Sequence, residues 1–297
     1  MALIQAVPNF SEGRCKETVE EILSVFRLQS DCKTLDQHAD GDHNRLVVTV
    51  LGDPESLAEA CFAATKKASE LIDMEEHTGS HPRIGAADVV PLIPIEGVSM
   101  RDCVQMAEDL GQRIAEELNI PVYLYEEAAK KPSRQKLENI RRGEYEGLKE
   151  EIGSDERAPD FGPLQMHPRA GATVVGARQA LIAYNVYLRT DDLSIARQIA
   201  RDVRASNGGF VNVKAIGLEV QGEGVQVSMN LTDYRKTPIH RVYEFIKREA
   251  AHRGVGVEKS EIVGLIPQAA LQAVAEYYLN LDDFSRKEQI LEARLQE

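Results

Sequence analysis

The spacing of apolar residues along this chain switches several times between a period of about two and a period of about 3.6, and each switch marks an element. Residues 3–7 are an apolar run that ends at Pro8 and predict a strand. Over 16–28, Val19, Ile22, Leu23 and Phe26 recur on one helical face; a strand over 33–38 and a polar loop over 39–44 follow. The β-rich run 46–51 stops at Gly52-Asp53-Pro54. Pro54 opens a helix where its missing N–H costs nothing, and Leu57, Cys61, Ala64, Ala68 and Leu71 give that helix a buried stripe. The apolar stretch 88–95 supplies the next strand and completes the order βαββαβ. Residues 99–118 add a helix with Ser99 as cap, and 122–125 a short strand. From 126 to 157 the chain is polar and charged, with Glu144, Glu146, Glu150, Glu151, Asp155 and Glu156, which predicts a solvated helical excursion or linker.

The second half repeats the cadence. A strand over 180–188 leads to a helix over 191–205 capped by Thr190 or Asp191, and the runs 213–220 and 225–231 form a hairpin about Gly222–Gly224. A helix over 238–252, a strand over 256–263 and a helix over 267–279 follow, again βαββαβ. Such units fold as an antiparallel sheet with two helices on one face, the split βαβ or ferredoxin-like plan. The expected class is therefore α+β: two ferredoxin-like βαββαβ subdomains, 1–178 and 179–297, side by side with an active-site cleft or tunnel between them. The tail 285–297 reads as a mostly polar helix with Ile290, Leu291 and Leu295 on one side.

Charge narrows the partners. Lys and Arg total 35 against 48 Asp and Glu, a net −13, which opposes binding to a phosphate backbone, so no nucleic acid is expected. An anionic small molecule is still allowed if a local cluster of cations reverses the field in one cleft. The four cysteines, Cys15, Cys32, Cys61 and Cys103, are far apart and read as reduced thiols. The first residues have no basic stretch ahead of their apolar run and predict a strand, not a signal peptide. No stretch is long and apolar enough to span a membrane, so a cytoplasmic protein with no membrane partner is expected.

Three loops of the first half concentrate functional side chains: His38-Ala-Asp40-Gly-Asp42-His43-Asn44-Arg45, His77-Thr-Gly-Ser-His81-Pro-Arg83-Ile-Gly85-Ala-Ala-Asp88, and residues 160–171. They hold five of the seven histidines, at strand ends where binding and catalytic groups gather. His77 and His81 have i, i+4 spacing, which on a helix would aim both rings at one metal. Gly79 breaks such a helix, however, and Pro82 pushes His81 toward extended backbone. Zinc held by these residues with His38, Asp40, Asp42, His43 and Asp88 is one alternative. A histidine held by Pro82 and followed by Arg83 suits general acid–base work instead, and Arg45 and Arg83 can fork around a carboxylate. The competing reading has both arginines capping surface loops and His81 bonded to a backbone carbonyl. Gly162-Pro163 and Ala170-Gly171-Ala172 either admit a flat ligand close to the backbone or are interdomain turns.

Several long motifs, in order, resemble one family. They are Ala6-Val-Pro-Asn-Phe-Ser-Glu-Gly13, Asp42-His-Asn-Arg45, His77-x-Gly-x-His-Pro-Arg-x-Gly-Ala-x-Asp-Val89, Pro121-Val-Tyr-Leu-Tyr125, Arg141-x-Gly-Glu-Tyr-Glu146, Pro159-Asp-Phe-Gly-Pro163 and Gly171-Ala-Thr-Val-x-Gly-Ala-Arg178. The match continues through Leu181-Ile-Ala-Tyr-Asn185 to Val263-Gly-Leu-Ile-Pro267. Nearly the whole chain thus resembles the glutamate formiminotransferases, the transferase portion of formiminotransferase-cyclodeaminase. A cyclodeaminase domain is not expected within this length.

The resemblance implies transfer of the formimino group from N-formimino-L-glutamate to N5 of tetrahydrofolate, giving 5-formiminotetrahydrofolate and L-glutamate at the end of histidine breakdown. Tetrahydrofolate enters as co-substrate, no metal is implied, and a homodimer is the usual form. The family's catalytic histidine falls on His81. Its folate-contacting segment falls on Gly162, Pro163, Leu164, Gln165, Met166, His167, Pro168, Arg169, Ala170 and Gly171. Arg45, Arg83, His38 and Asp40 complete the expected substrate-binding set, with Arg169 and Lys214 as further cations for the substrates' carboxylates. Where mammalian members carry an acidic residue near the catalytic histidine, this chain has His38 flanked by Asp36 and Asp40, so the group that orients His81 is left open. The competing functions are formyl transfer on the same scaffold, a metal-dependent hydrolase using His38, His43, His77 and His81, and folate binding without catalysis.

Overall fold

A computed structural model of the 297-residue chain describes residues 2–294. The chain divides into two units, Met1–Arg178 and Gln179–Glu297, each with its own apolar core. Among the described residues no helix is long and apolar enough to cross a membrane.

The first unit begins with β1 (Leu3–Ala6) and β2 (Asn9–Phe10), one strand interrupted at Pro8, both pairing with the same two neighbours. Then come α1 (Lys16–Arg27), β3 (Cys32–Asp40), β4 (Arg45–Gly52), α2 (Pro54–Leu71) and β5 (Ala87–Glu96). Asp53 caps α2 by accepting from the amides of Glu55 and Ser56, both at 3.1 Å, with Pro54 in the first turn. With β1 and β2 counted together, the strands lie β3-β4-β1-β5, all antiparallel. That is the split βαβ order. Ile22, Leu23 and Phe26 of α1 face this sheet, and the Phe26 ring lies 6.4 Å from that of Phe10.

The sheet does not stop at β5. Helix α3 (Met100–Leu118), closed by a Ser99–Asp102 capping box, leads to β6 (Val122–Glu126), and β7 (Thr173–Ala177) inserts parallel between β5 and β6. The result has seven strands. β7 is buried along its whole length and therefore reads as a continuous apolar run without alternation; the sequence pattern assigned no strand there, and the structure adds one.

The stretch between β6 and β7 is corrected as well. It contains α4 (Leu137–Ile140) and α5 (Glu144–Glu151), and Ile140, Tyr145, Leu148 and Ile152 join the core. Two of its arginines, Arg134 and Arg157, are equally internal. Arg134 pairs with Asp160 at 2.6 Å, and Arg157 donates to the carbonyls of Asn139, Ile140 and Arg142 at 2.9–3.1 Å. These cations replace the solvation that a surface linker would have had. It is a packed, charge-lined layer.

The second unit comprises β8 (Ile182–Leu188), α6 (Leu193–Val203), β9 (Val213–Val220), β10 (Gly224–Leu231), α7 (Ile239–His252), β11 (Val257–Val263) and α8 (Gln268–Leu279). Its four strands lie β11-β8-β10-β9, all antiparallel, the split βαβ order without extension. Ile199 and Val203 of α6 and Val242 and Ile246 of α7 cover one face. The predicted tail helix is instead two short ones, α9 (Arg286–Gln289) and α10 (Leu291–Arg294), separated at Ile290. Leu295, expected on its apolar side, lies outside the described residues.

Gly85 and Gly171 pair as an isolated β-bridge that draws two of the candidate loops together, with Ala86 N donating to Ala170 O at 2.8 Å. A Cβ at Gly85 would overlap the Ala172 carbonyl oxygen, and Gly171 has φ +72° with Ile84 O behind it. Gly85→Ala is therefore expected to destabilise by about 1–3 kcal/mol or more, while Gly147→Ala, in open space within α5, gains about 0.5–1 kcal/mol. Urea denaturation midpoints of the two variants check this.

Candidate active site

Asn44 organises the loops. It takes φ +50°, a left-handed conformation that asparagine tolerates better than most residues. From there its Oδ1 accepts from Gly13 N at 3.0 Å and its Nδ2 donates to Thr78 O at 3.0 Å. One buried amide thereby ties together three loops: the one after β2, the one before β4 and the histidine loop that follows α2. Sequence reading passed over Asn44; its signal is an asparagine directly ahead of a strand.

The two histidines of that loop are held differently. His77 Nε2 lies 3.2 Å from Asn44 O, and its Nδ1 receives Arg83 Nε at 3.3 Å. With an acceptor on one side and a donor on the other, the ring is a neutral tautomer carrying its proton on Nε2. Burial, then the Arg83 charge, lowers its pKa against the opposing Asn44 carbonyl. His81 is half-buried and has no hydrogen bond among the described residues. Burial first, and then the charges of Arg45, Arg141 and His43, push its pKa down to about 3, with Asp40 opposing. The His43 ring stands edge-on to it at 6.3 Å.

Asp40 binds His43 rather than His81. Its carboxylate accepts from the amides of Asp42 and His43 at 2.9 and 3.0 Å and from His43 Nδ1 at 2.6 Å. Chiefly the His43 amide, against the cost of burial, holds Asp40 down at about 2. The contacts thus run from Asp40 to His43 and from the His43 ring edge-on to His81. His38 lies exposed on the edge strand β3, opposite Val47. Among the described residues no group of three or more His, Cys, Asp or Glu is arranged to hold a metal.

Arg83 is nearly buried and its guanidinium already carries two carboxylates: Glu144 at 2.7 Å, and Glu146 at 2.6 and 3.0 Å. Arg45, by contrast, is half-buried, and its Nε has no partner among the described residues. Sequence reading missed Arg141, although it stands in the quoted Arg141-x-Gly-Glu-Tyr-Glu146 motif. It is paired with Asp88, whose other oxygen accepts from Ile84 N at 2.8 Å.

The stretch 162–171 is a mixed surface. Gly162, Leu164, Gln165, Pro168 and Arg169 are exposed, Pro163 and His167 half-buried, and Met166, Ala170 and Gly171 belong to the interior. His167 closes the turn: its backbone exchanges bonds with Gly171 at 3.1 Å and its Nδ1 accepts from Ala170 N at 2.9 Å. Arg169 Nε reaches Asp73 at 3.2 Å. Lys214 is exposed on β9 of the other unit.

Known proteins match this arrangement end to end. The formiminotransferase domain, N-terminal subdomain, matches residues 3–178, and the formiminotransferase domain matches residues 183–295. The chain belongs to the formiminotransferase family. A glutamate formimidoyltransferase of Thermoplasma acidophilum is 48% identical over 100% of this chain and 98% of that protein. The glutamate formimidoyltransferase of Streptococcus pyogenes serotype M1 is 43% identical over 99% of this chain and 98% of its own length. The formimidoyltransferase-cyclodeaminase of Rattus norvegicus is 45% identical, with 93% of this chain matching 52% of that longer protein.

For this family member the histidine environment has a consequence for stability. The folded pKa of His81, about 3, lies below the ordinary 6.5, so between those values the unfolded chain binds more protons. Native stability therefore falls as pH drops below about 6.5. His77, His167 and His240 are displaced the same way by burial and steepen the fall. His81→Gln is expected to flatten it: similar to the unsubstituted protein at pH 7.5, more stable at pH 5. Thermal melts across that range read the difference.

Proposed function

We propose that the protein is a glutamate formimidoyltransferase that moves the formimino group from N-formimino-L-glutamate to N5 of tetrahydrofolate, releasing L-glutamate. One observation carries the reading: end-to-end similarity, at 43–48% identity, to proteins of that name from an archaeon and a bacterium. No observation favours formyl transfer or metal-dependent hydrolysis. The reading also takes the enzyme to be a cytoplasmic homodimer, with the seam between its subdomains at Arg178.

The residues suit the chemistry. N5 attacks the amidine carbon and must shed a proton, and the tetrahedral adduct collapses when the glutamate nitrogen gains one. His81 takes the first proton and returns the second, a general acid–base role worth roughly 10²–10⁴ in rate. Its neutral ring is in the state that accepts a proton. Holding two substrates in attack geometry supplies much of the rest. The exposed side of 162–171 is the proposed folate contact, while Met166, Ala170 and Gly171 shape that contact from beneath. Arg45 is the cation open to a substrate carboxylate. Arg83, its fork already filled by Glu144 and Glu146, positions the histidine loop. Asp40 acts through His43, and His38, Arg169 and Lys214 are outer contacts.

The test is direct. Purified protein mixed with tetrahydrofolate and formiminoglutamate should change the pterin absorbance and release glutamate, and N-formylglutamate should not substitute. In His81→Ala, tetrahydrofolate binding by calorimetry should persist while turnover falls at least about 10²-fold. Undiminished turnover in that variant would remove His81 from the reaction.

A further inference from the structure

We propose that Arg45 and Arg141 form one anion subsite beside His81 that takes a carboxylate of the amino-acid donor, with Asp88 as the positioning residue for Arg141. This rests on the formiminoglutamate reading above and adds the residues that receive the donor.

Arginines of the first unit fall into two groups. Arg83 carries two carboxylates, Arg134 has Asp160 and Ala158 O, and Arg157 has Glu151 and three carbonyls; the buried Arg134 Nη1 and Arg157 Nε lack an aligned hydrogen bond but each lies against a carboxylate, at 2.6 and 3.2 Å. Arg45 and Arg141 are served less: Arg45 meets no carboxylate and Arg141 only Asp88, and each has a fully buried Nε with no acceptor among the described residues. Asp88 gives one oxygen to Arg141 and spends the other on Ile84 N, and no ion pair reaches Arg45 among the described residues. The two guanidiniums are close enough for Arg141 to lower the pKa of Arg45, after burial itself, while Asp40 and Asp88 oppose. Buried N–H groups without acceptors and two like charges held together are costly. A carboxylate relieves both penalties at once, and guanidinium forks match its geometry.

The same pair acts on His81, and His43, two residues before Arg45, sets its ring 6.3 Å from that of His81. Arg45, Arg141 and His43 disfavour the imidazolium and Asp40 favours it, so the empty site keeps His81 a weak base. A carboxylate between the two arginines offsets their charges and raises the proton affinity of the ring toward working pH, where general bases are most effective. Donor binding therefore prepares the base, and a neutral amide analogue of the donor would leave it weak.

Arg45→Gln, Arg141→Gln and Arg141→Lys test the subsite, with the folded state of each checked by circular dichroism and urea melts. In both Gln variants KM for formiminoglutamate should rise at least about tenfold while KM for tetrahydrofolate stays within about twofold. Arg141→Lys should recover part of that loss. The acidic limb of kcat/KM reports the free enzyme and that of kcat the loaded one; in the unsubstituted enzyme the kcat limb should lie at higher pH. In Arg45→Gln, with one cation gone, the kcat/KM limb should move to higher pH than in the unsubstituted enzyme. Arg45→Gln breaks no ion pair and serves if Arg141→Gln fails to fold. An unchanged KM for the donor, or a rise only in KM for tetrahydrofolate, overturns the assignment. If the unsubstituted enzyme does not turn over formiminoglutamate, the functional reading fails by itself. Calorimetry with L-glutamate then decides the subsite: binding that Arg45→Gln abolishes supports it, and no binding overturns it.

Discussion

Two charge pairs of opposite polarity, one buried on both sides and one with exposed carboxylates, hold the candidate site in place. Arg83, in the histidine loop, reaches out to Glu144 and Glu146; Asp88, at the loop's other end, receives Arg141 from the same neighbouring segment. The loop contributes one cation and one anion, and residues 141–146 contribute the complements. For the Arg141–Asp88 pair, buried on both sides, removing one partner leaves a buried charge and costs about 3–5 kcal/mol; the Arg83 pairs, with their carboxylates in solvent, are worth less. They therefore act less as a source of stability than as a specification of where residues 77–88 must lie.

That specification explains how an acidic protein presents a positive centre. The net charge of −13 is spread over a solvated surface, where salt screens it. Close to His81 the acting charges are Arg45, Arg141 and His43 against Asp40, in surroundings that burial keeps from full solvation. The local field, not the global sum, governs which small anions the site can hold.

The paired histidines of the loop show how neighbours decide roles. His77 is fixed between a carbonyl and a guanidinium, so its tautomer is set and its Nδ1 faces a donor. His81, four positions on, is held by none of these and has the His43 ring edge-on to it. The same side chain is a strut at one position and a proton carrier, in our reading, at the other.

Much of this protein is written locally. The period changes, Pro54 and Asp53 at the start of α2, the Ser99–Asp102 box and the doubled βαββαβ order depend on neighbours within a few residues, and the long motifs led to the family without coordinates. What the pattern could not carry was long-range. β7 carries no alternation to mark it as a strand and is defined only when β5 and β6 pair with both of its edges. Glu144 and Glu146 look solvated until topology sets them against Arg83, 61 and 63 residues away, and Arg141 against Asp88, 53 away. A charged residue reads the same in sequence whether water or a buried partner satisfies it; only the tertiary fold, by removing water and choosing the partner, decides which arginines are struts and which are left open for a ligand.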